Sequence, residues 1–97
     1  MSMVKNNQAT DSVEADSKTI HILYFASLAD EANCHEEKVV IPHAMSLIEL
    51  YEQLHQKYHF SRAPSELKVA INDYFAKWSD AIKDGDSVVF ITPVAGG

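Results

Sequence analysis

The chain has 97 residues, 46% of them hydrophobic, with 8 Lys or Arg, 14 Asp or Glu, one Cys and a formal net charge of −6. That length suits one domain with one modest core. The acidic balance argues against nucleic-acid backbones and anionic membrane surfaces, and one cysteine excludes an intramolecular disulfide. No apolar run approaches the ~18–20 residues of a membrane-spanning helix, nor do the first residues contain the apolar stretch of a secretory signal. The expectation is a cytoplasmic domain that binds neither nucleic acid nor membrane.

Residues 1–18 are rich in Asn, Gln, Ser, Asp and Glu, with Met3, Val4 and Val13 at no consistent period. Such a segment buries too little surface to offset its ordering entropy, so a disordered leader is expected. The folded domain is expected over 19–97. Thr19 to Phe25 is β-branched and aromatic on both faces, as in a central strand. Ile20, Ile22 and Tyr24 share one face of it; His21, Leu23 and Phe25 share the other. Ala26 to Glu36 is a polar connection with room for a short helical turn, and Lys38 to Ile41 is a second strand stopped by Pro42.

Ser46 and Glu49 have the spacing of a capping box. Leu47, Leu50, Tyr51, Leu54 and Tyr58 follow at helical spacing, predicting a helix of about 12 residues with one apolar face. Leu67 to Ile71 and Tyr74-Phe75 read as a hairpin around Asn72-Asp73, whose side chains tolerate left-handed backbone. Asp84-Gly85-Asp86 is a further turn, Ser87 to Ile91 the last strand, and Pro93 ends its ladder. The order β-β-α-β-β-β predicts an α+β fold: a ubiquitin-like β-grasp, its mixed sheet covered by one main helix. The last strand is expected beside the first, in the middle of the sheet. Its continuation, 92–97, then leaves the domain as a free tail ending in Gly-Gly.

Two of the three glycines are the last two residues, Gly96 and Gly97. Small residues are common at frayed termini, so the pair alone is a weak motif. A carboxylate on a Cβ-free tail is, however, sterically open and able to thread a narrow channel in a partner. It is also a group that activation as an acyl-adenylate exposes to attack by sulfur or an amine. Pro93 keeps the approach extended.

Ile22 to Ala26, Val69 to Asn72, Asp84-Gly85-Asp86 and Pro93-Val94-Ala95-Gly96-Gly97 together resemble the small, sulfur-carrier subunit of molybdopterin synthase, of the MoaD/ThiS-like family. The resemblance runs from Thr19 to Gly97. It implies that Gly97 is adenylated by a ubiquitin-activating-like adenylyltransferase using ATP and magnesium. A sulfurtransferase then converts the glycyl adenylate to a thiocarboxylate, with Gly96 as the slender neighbour. It implies no cofactor bound by this chain. The partner it implies is the large synthase subunit, in a heterotetramer of two small and two large chains. There the tail (Pro93, Val94, Ala95) inserts, and sulfur passes to a pterin precursor to build a dithiolene. The docking surface maps onto Phe25, Phe75 and Ile91. One departure is Ala29, where the family often has arginine. Catalytic groups are expected in the partner, so the chain is a donor subunit rather than a self-sufficient enzyme.

Two other readings stand beside this one. The thiamine sulfur carrier and the ubiquitin-related modifiers share the fold and tail but not the acceptor, and a plain interaction module would make the glycines incidental. Cys34 has no partner motif of a nucleophile and reads as structural. His55 and His59 are two potential ligands without a third and read as solvated. Trp78, Tyr74 and Phe75 lack a basic groove and read as core and docking residues rather than a base-stacking platform.

Overall fold

Strict alternation organises the first strand, β1 (Ser17–Tyr24), in which Lys18, Ile20, Ile22 and Tyr24 are buried and the residues between them partly exposed. The computed structural model describes residues 16–92. Of the expected disordered leader 1–18, residues 1–15 lie outside the described residues, whereas Ser17 and Lys18 belong to β1; of the expected tail 92–97, residues 93–97 lie outside them. β1 begins two residues before the expected boundary at Thr19, because Lys18 is buried and its ammonium donates to the Ile82 carbonyl at 3.0 Å.

The connection after β1 is a true helix, α1 (Ser27–Ala32), with Leu28, Ala29 and Ala32 buried. Strand β2 (Glu36–Pro42) starts two residues earlier than expected. Its outer edge is free among the described residues, and edge strands accept charged residues such as Glu36 and Glu37. Helix α2 (Leu47–Tyr58) has the expected capping box: Ser46 Oγ accepts from the Glu49 N–H at 3.2 Å, and Glu49 Oε1 accepts from the Ser46 N–H at 2.9 Å. A 3-10 turn (Pro64–Glu66) leads to β3 (Lys68–Ile71), β4 (Tyr74–Ala76) and β5 (Ser87–Ile91). Asn72 and Asp73, both at positive φ (51° and 75°), make the tight turn between β3 and β4. Asn72 ties it down by donating to Asp86 Oδ1 and accepting from the Ser87 N–H, both at 2.9 Å.

The sheet order is β2-β1-β5-β3-β4. β5 runs parallel to β1 in the centre, and the other neighbours are antiparallel. One face carries the core, built from Ile20, Ile22, Ile41, Val69, Val88 and Phe90 against Leu47, Leu50, Tyr51 and Leu54 of α2. Tyr51 is its aromatic centre, with ring centroids 5.0 Å from Phe90, 5.6 Å from Trp78 and 5.8 Å from Phe60. Trp78 is half-buried and packs against this core. The architecture is the α+β grasp that the element order implies, with the second helix α1 added.

Candidate functional site

The face of the sheet away from α2 has no covering element among the described residues. Register assembles it. Leu23 pairs with Val89, Val89 with Ala70, and Ala70 with Phe75, so an apolar row crosses the four strands β1, β5, β3 and β4. Ile91 lies two residues beyond Val89 on the same face, opposite Lys68. Phe25 follows Leu23 by two and so extends the row past the end of β1. Phe25 is 50% exposed and Phe75 78% exposed, whereas Ile91 is half-buried. All three expected docking residues thus share one face.

Leu23 shares Phe25's face as the alternation of β1 predicts, whereas two members of that row, Ala70 and Val89, were not among the expected docking residues. The pair Val89/Ile91 is visible as the outward half of the Ser87–Ile91 alternation, but Ala70 becomes part of the row only through cross-strand register. Val40, 67% exposed, lies on the same face opposite Thr19, at the far end of the sheet. The rim is polar: His21 Nε2 and Glu36 Oε1 are 2.9 Å apart, and Lys38 and Lys68 flank the row. Tyr74 is also exposed, beside Phe75 on the edge strand.

The backbone at the upper end of this face is unusual. Ala26 has φ 52° and ψ −126°, a region that glycine occupies readily and other residues seldom do. The turn it makes reverses the chain from β1 into α1, where the Leu28 and Ala29 N–H groups donate to the carbonyls of Phe25 and Ala26. Ala29, at the position of the family's arginine, is buried in α1. No cation projects from there.

Thr92 continues β5, half-buried, and marks where the chain leaves the centre of the sheet. Pro93, Val94, Ala95, Gly96 and Gly97 lie outside the described residues. Because β1 and β5 are parallel, β5 ends on the side of the sheet where Phe25 and Ala26 lie.

Residues 22–97 match the ThiS family profile. The chain belongs to the ThiS family. A relative from Mycobacterium tuberculosis, named molybdopterin synthase sulfur carrier subunit, is 34% identical over 82 residues, covering 80% of this chain and 96% of the relative. A subunit of the same name from Drosophila melanogaster is 32% identical over 81 residues, covering 80% and 90%. Among solved structures, the complex of subunits 1 and 2 of the molybdopterin-converting factor of Helicobacter pylori aligns with TM-score 0.55 and 26% identity, over 81% of this chain and 99% of that one. The small archaeal modifier protein 1 of Haloferax volcanii shares the fold, with TM-score 0.69 and 19% identity over 79% and 99%. These neighbours establish the ubiquitin-like β-grasp.

The remaining candidate side chains form no common site among the described residues. Cys34 packs against the core, and burial together with the nearby Glu37 charge pushes its thiol up, which disfavours the nucleophilic thiolate. His55 lies against the Tyr51 ring at 6.0 Å, while His59 caps α2 in the left-handed region (φ 58°), so the two do not share a helical face. No group of three potential metal ligands occurs among the described residues.

Proposed function

We propose that this family member is the sulfur-carrier small subunit of a molybdopterin synthase, with Gly97 as the carrier. The observation that supports this most directly is the 34% identity to a relative of that name, running through a β-grasp whose central strand leads to Gly-Gly. A Gly97 carboxylate oxygen attacks the α-phosphorus of ATP on a ubiquitin-activating-like enzyme, with magnesium, and pyrophosphate leaves. The terminal sulfur of a sulfurtransferase persulfide attacks the glycyl carbonyl and AMP leaves; a thiol then cleaves the S–S bond of the acyl disulfide and is left in a disulfide. The resulting thiocarboxylate then donates sulfur to a pterin precursor inside the large subunit. The apolar face Phe25–Leu23–Val89–Ala70–Phe75, with Ile91, docks that subunit. Gly96, Ala95, Val94 and Pro93 thread its channel, and the large subunit supplies the acid–base groups. Two such pairs make the heterotetramer.

The test is mass spectrometry of the carboxy-terminal peptide from protein made in its native cells. Oxygen-to-sulfur exchange has nearly the mass of an oxidation, and the chain has three methionines, so alkylation must trap the sulfur. A Gly97 thiocarboxylate, together with loss of molybdopterin synthesis on deleting Gly97, is the expected outcome. Lysine-linked conjugates would instead assign the chain to the ubiquitin-related modifiers. An unmodified carboxylate during active cofactor synthesis would reduce it to an interaction module.

A further inference from the structure

Lys18 is only 4% exposed, yet its ammonium has a single acceptor among the described residues, the Ile82 carbonyl at 3.0 Å. An ammonium offers three donors, and burying one without a counter-ion is costly. Three carboxylates flank Ile82 in sequence, and each is held by another donor. Asp80 Oδ2 accepts from the Lys77 N–H at 3.0 Å, and Asp84 Oδ1 accepts from the Thr19 N–H at 2.7 Å. Asp86 accepts from the Asn72 side chain at 2.9 Å and from the Lys83 N–H at 2.8 Å. No carboxylate of the described residues lies within 4.0 Å of the Lys18 ammonium.

Lys18 and Ile82 both line a groove of about 650 Å³, a volume suited to a small molecule. Met45, Ala81 and Ile82 give it an apolar wall. Lys83 brings a second cation, while His43 and the engaged Asp80 complete the polar part. Alternation along β1 puts Lys18 on the same sheet face as Ile20 and Ile22, the face covered by α2. The groove is therefore on the opposite side from the row that joins Phe25 to Phe75, at the end of the sheet where β1 begins.

We propose that this groove is a binding site for a small amphipathic carboxylate. The carboxylate pairs with the Lys18 and Lys83 ammonium groups, and the apolar body lies along Met45, Ala81 and Ile82. A bare inorganic anion would leave the apolar wall wet, and an uncharged alcohol would leave the ammonium groups unpaired. Both classes should thus bind less tightly. Because the site is on the helix-covered side, its occupation leaves the uncovered face free to dock a partner.

Octanoate is the probe, titrated into the full ¹⁵N-labelled chain at neutral pH, with 1-octanol and inorganic phosphate in parallel. Octanoate should shift the amides of Met45, Ala81 and Lys83 saturably, with a Kd of about 1 mM. Octanol and phosphate should each bind at least about tenfold more weakly. Lys18→Met, which keeps the buried stem and removes the charge, should weaken octanoate binding at least about tenfold. Groove amides that stay still with octanoate would overturn the proposal. So would octanol binding as tightly as octanoate, which would reduce the groove to an apolar patch. Phosphate moving the same amides at equal concentration, or equal octanoate affinity in wild type and Lys18→Met, would also overturn it. The comparison of octanoate with octanol uses the wild-type chain alone and decides the question should Lys18→Met fail to fold.

Discussion

One carboxylate oxygen, Glu37 Oε2, accepts hydroxyl hydrogen bonds from Tyr24 and Tyr58, each at 2.6 Å. This joins β1, β2 and the end of α2 through a single atom, with Lys57 Nζ at 4.0 Å from the other oxygen. Removing the acceptor leaves the buried Tyr24 hydroxyl unsatisfied, which costs about 1–3 kcal/mol. Glu37→Ala should therefore lower the urea midpoint by that equivalent, and Glu37→Gln, which keeps an acceptor oxygen, by distinctly less. Equal loss in both would mean that the negative charge matters rather than the hydrogen bonds. The same cluster sets the alkaline limit of the fold. Burial, and then Glu37, raise the Tyr24 and Tyr58 hydroxyls, and burial with Glu31, Glu52 and Glu66 pushes Tyr51 up to about 12. In the unfolded chain these groups ionise near 10. Above that pH the unfolded state holds fewer protons than the native state, so the stability these tyrosines contribute is fully present below pH 10 and falls as pH rises past it. Urea midpoints that stay flat between pH 7 and 8, ease downward once the unfolded chain's Cys34 thiol ionises at about 8.5, and then drop more steeply from 10 to 12 are expected, with a shallower drop in Tyr51→Phe.

At the scale of elements, the sequence is legible where the signal is local. The Ser46/Glu49 box and the spacing of Leu47, Leu50, Tyr51 and Leu54 mark α2 because both are written within one helix. The Asn72-Asp73 turn is likewise legible, since those side chains tolerate positive φ. Helix α1 reads only as a possible turn: six residues are too few for a period, and its N-cap, Ala26, makes no side-chain hydrogen bond. The early start of β2 is hidden by Glu36-Glu37, which look unlike a strand until β1 supplies the pairing and Tyr24 and Tyr58 the donors. Ala26 also yields a prediction. Its φ and ψ cost a residue with a Cβ about 1–3 kcal/mol, whereas the entropy lost by placing glycine there is about 0.5–1 kcal/mol. Ala26→Gly should therefore stabilise the fold by about 1 kcal/mol, read as a higher urea midpoint at unchanged slope. A lower midpoint would mean that the Ala26 methyl group makes packing contacts outweighing the strain.

At the scale of the whole molecule, two separate surfaces divide the labour. One sheet face is sealed by α2 and gives stability. The other is apolar and uncovered among the described residues, and β5 ends at Ile91 at one end of it. Phe25, Phe75 and Ile91 are recoverable from the sequence through the family resemblance, but the row linking them is not, because Leu23, Val89 and Ala70 meet only through long-range register. That difference makes the face testable without disturbing the core. Phe75 is on the edge strand and 78% exposed, so Phe75→Glu leaves no cavity and should keep the melting temperature within about 2 °C. Placed in a docked interface, the same carboxylate would be desolvated against apolar surface. Binding of the large synthase subunit, measured by calorimetry, should then weaken at least about tenfold, a loss of at least about 1.4 kcal/mol. Glu52→Ala on the exposed side of α2 is the control and should bind as wild type. If Phe75→Glu binds normally while Glu52→Ala does not, the docking surface lies on the helix side, and the uncovered face has another occupant.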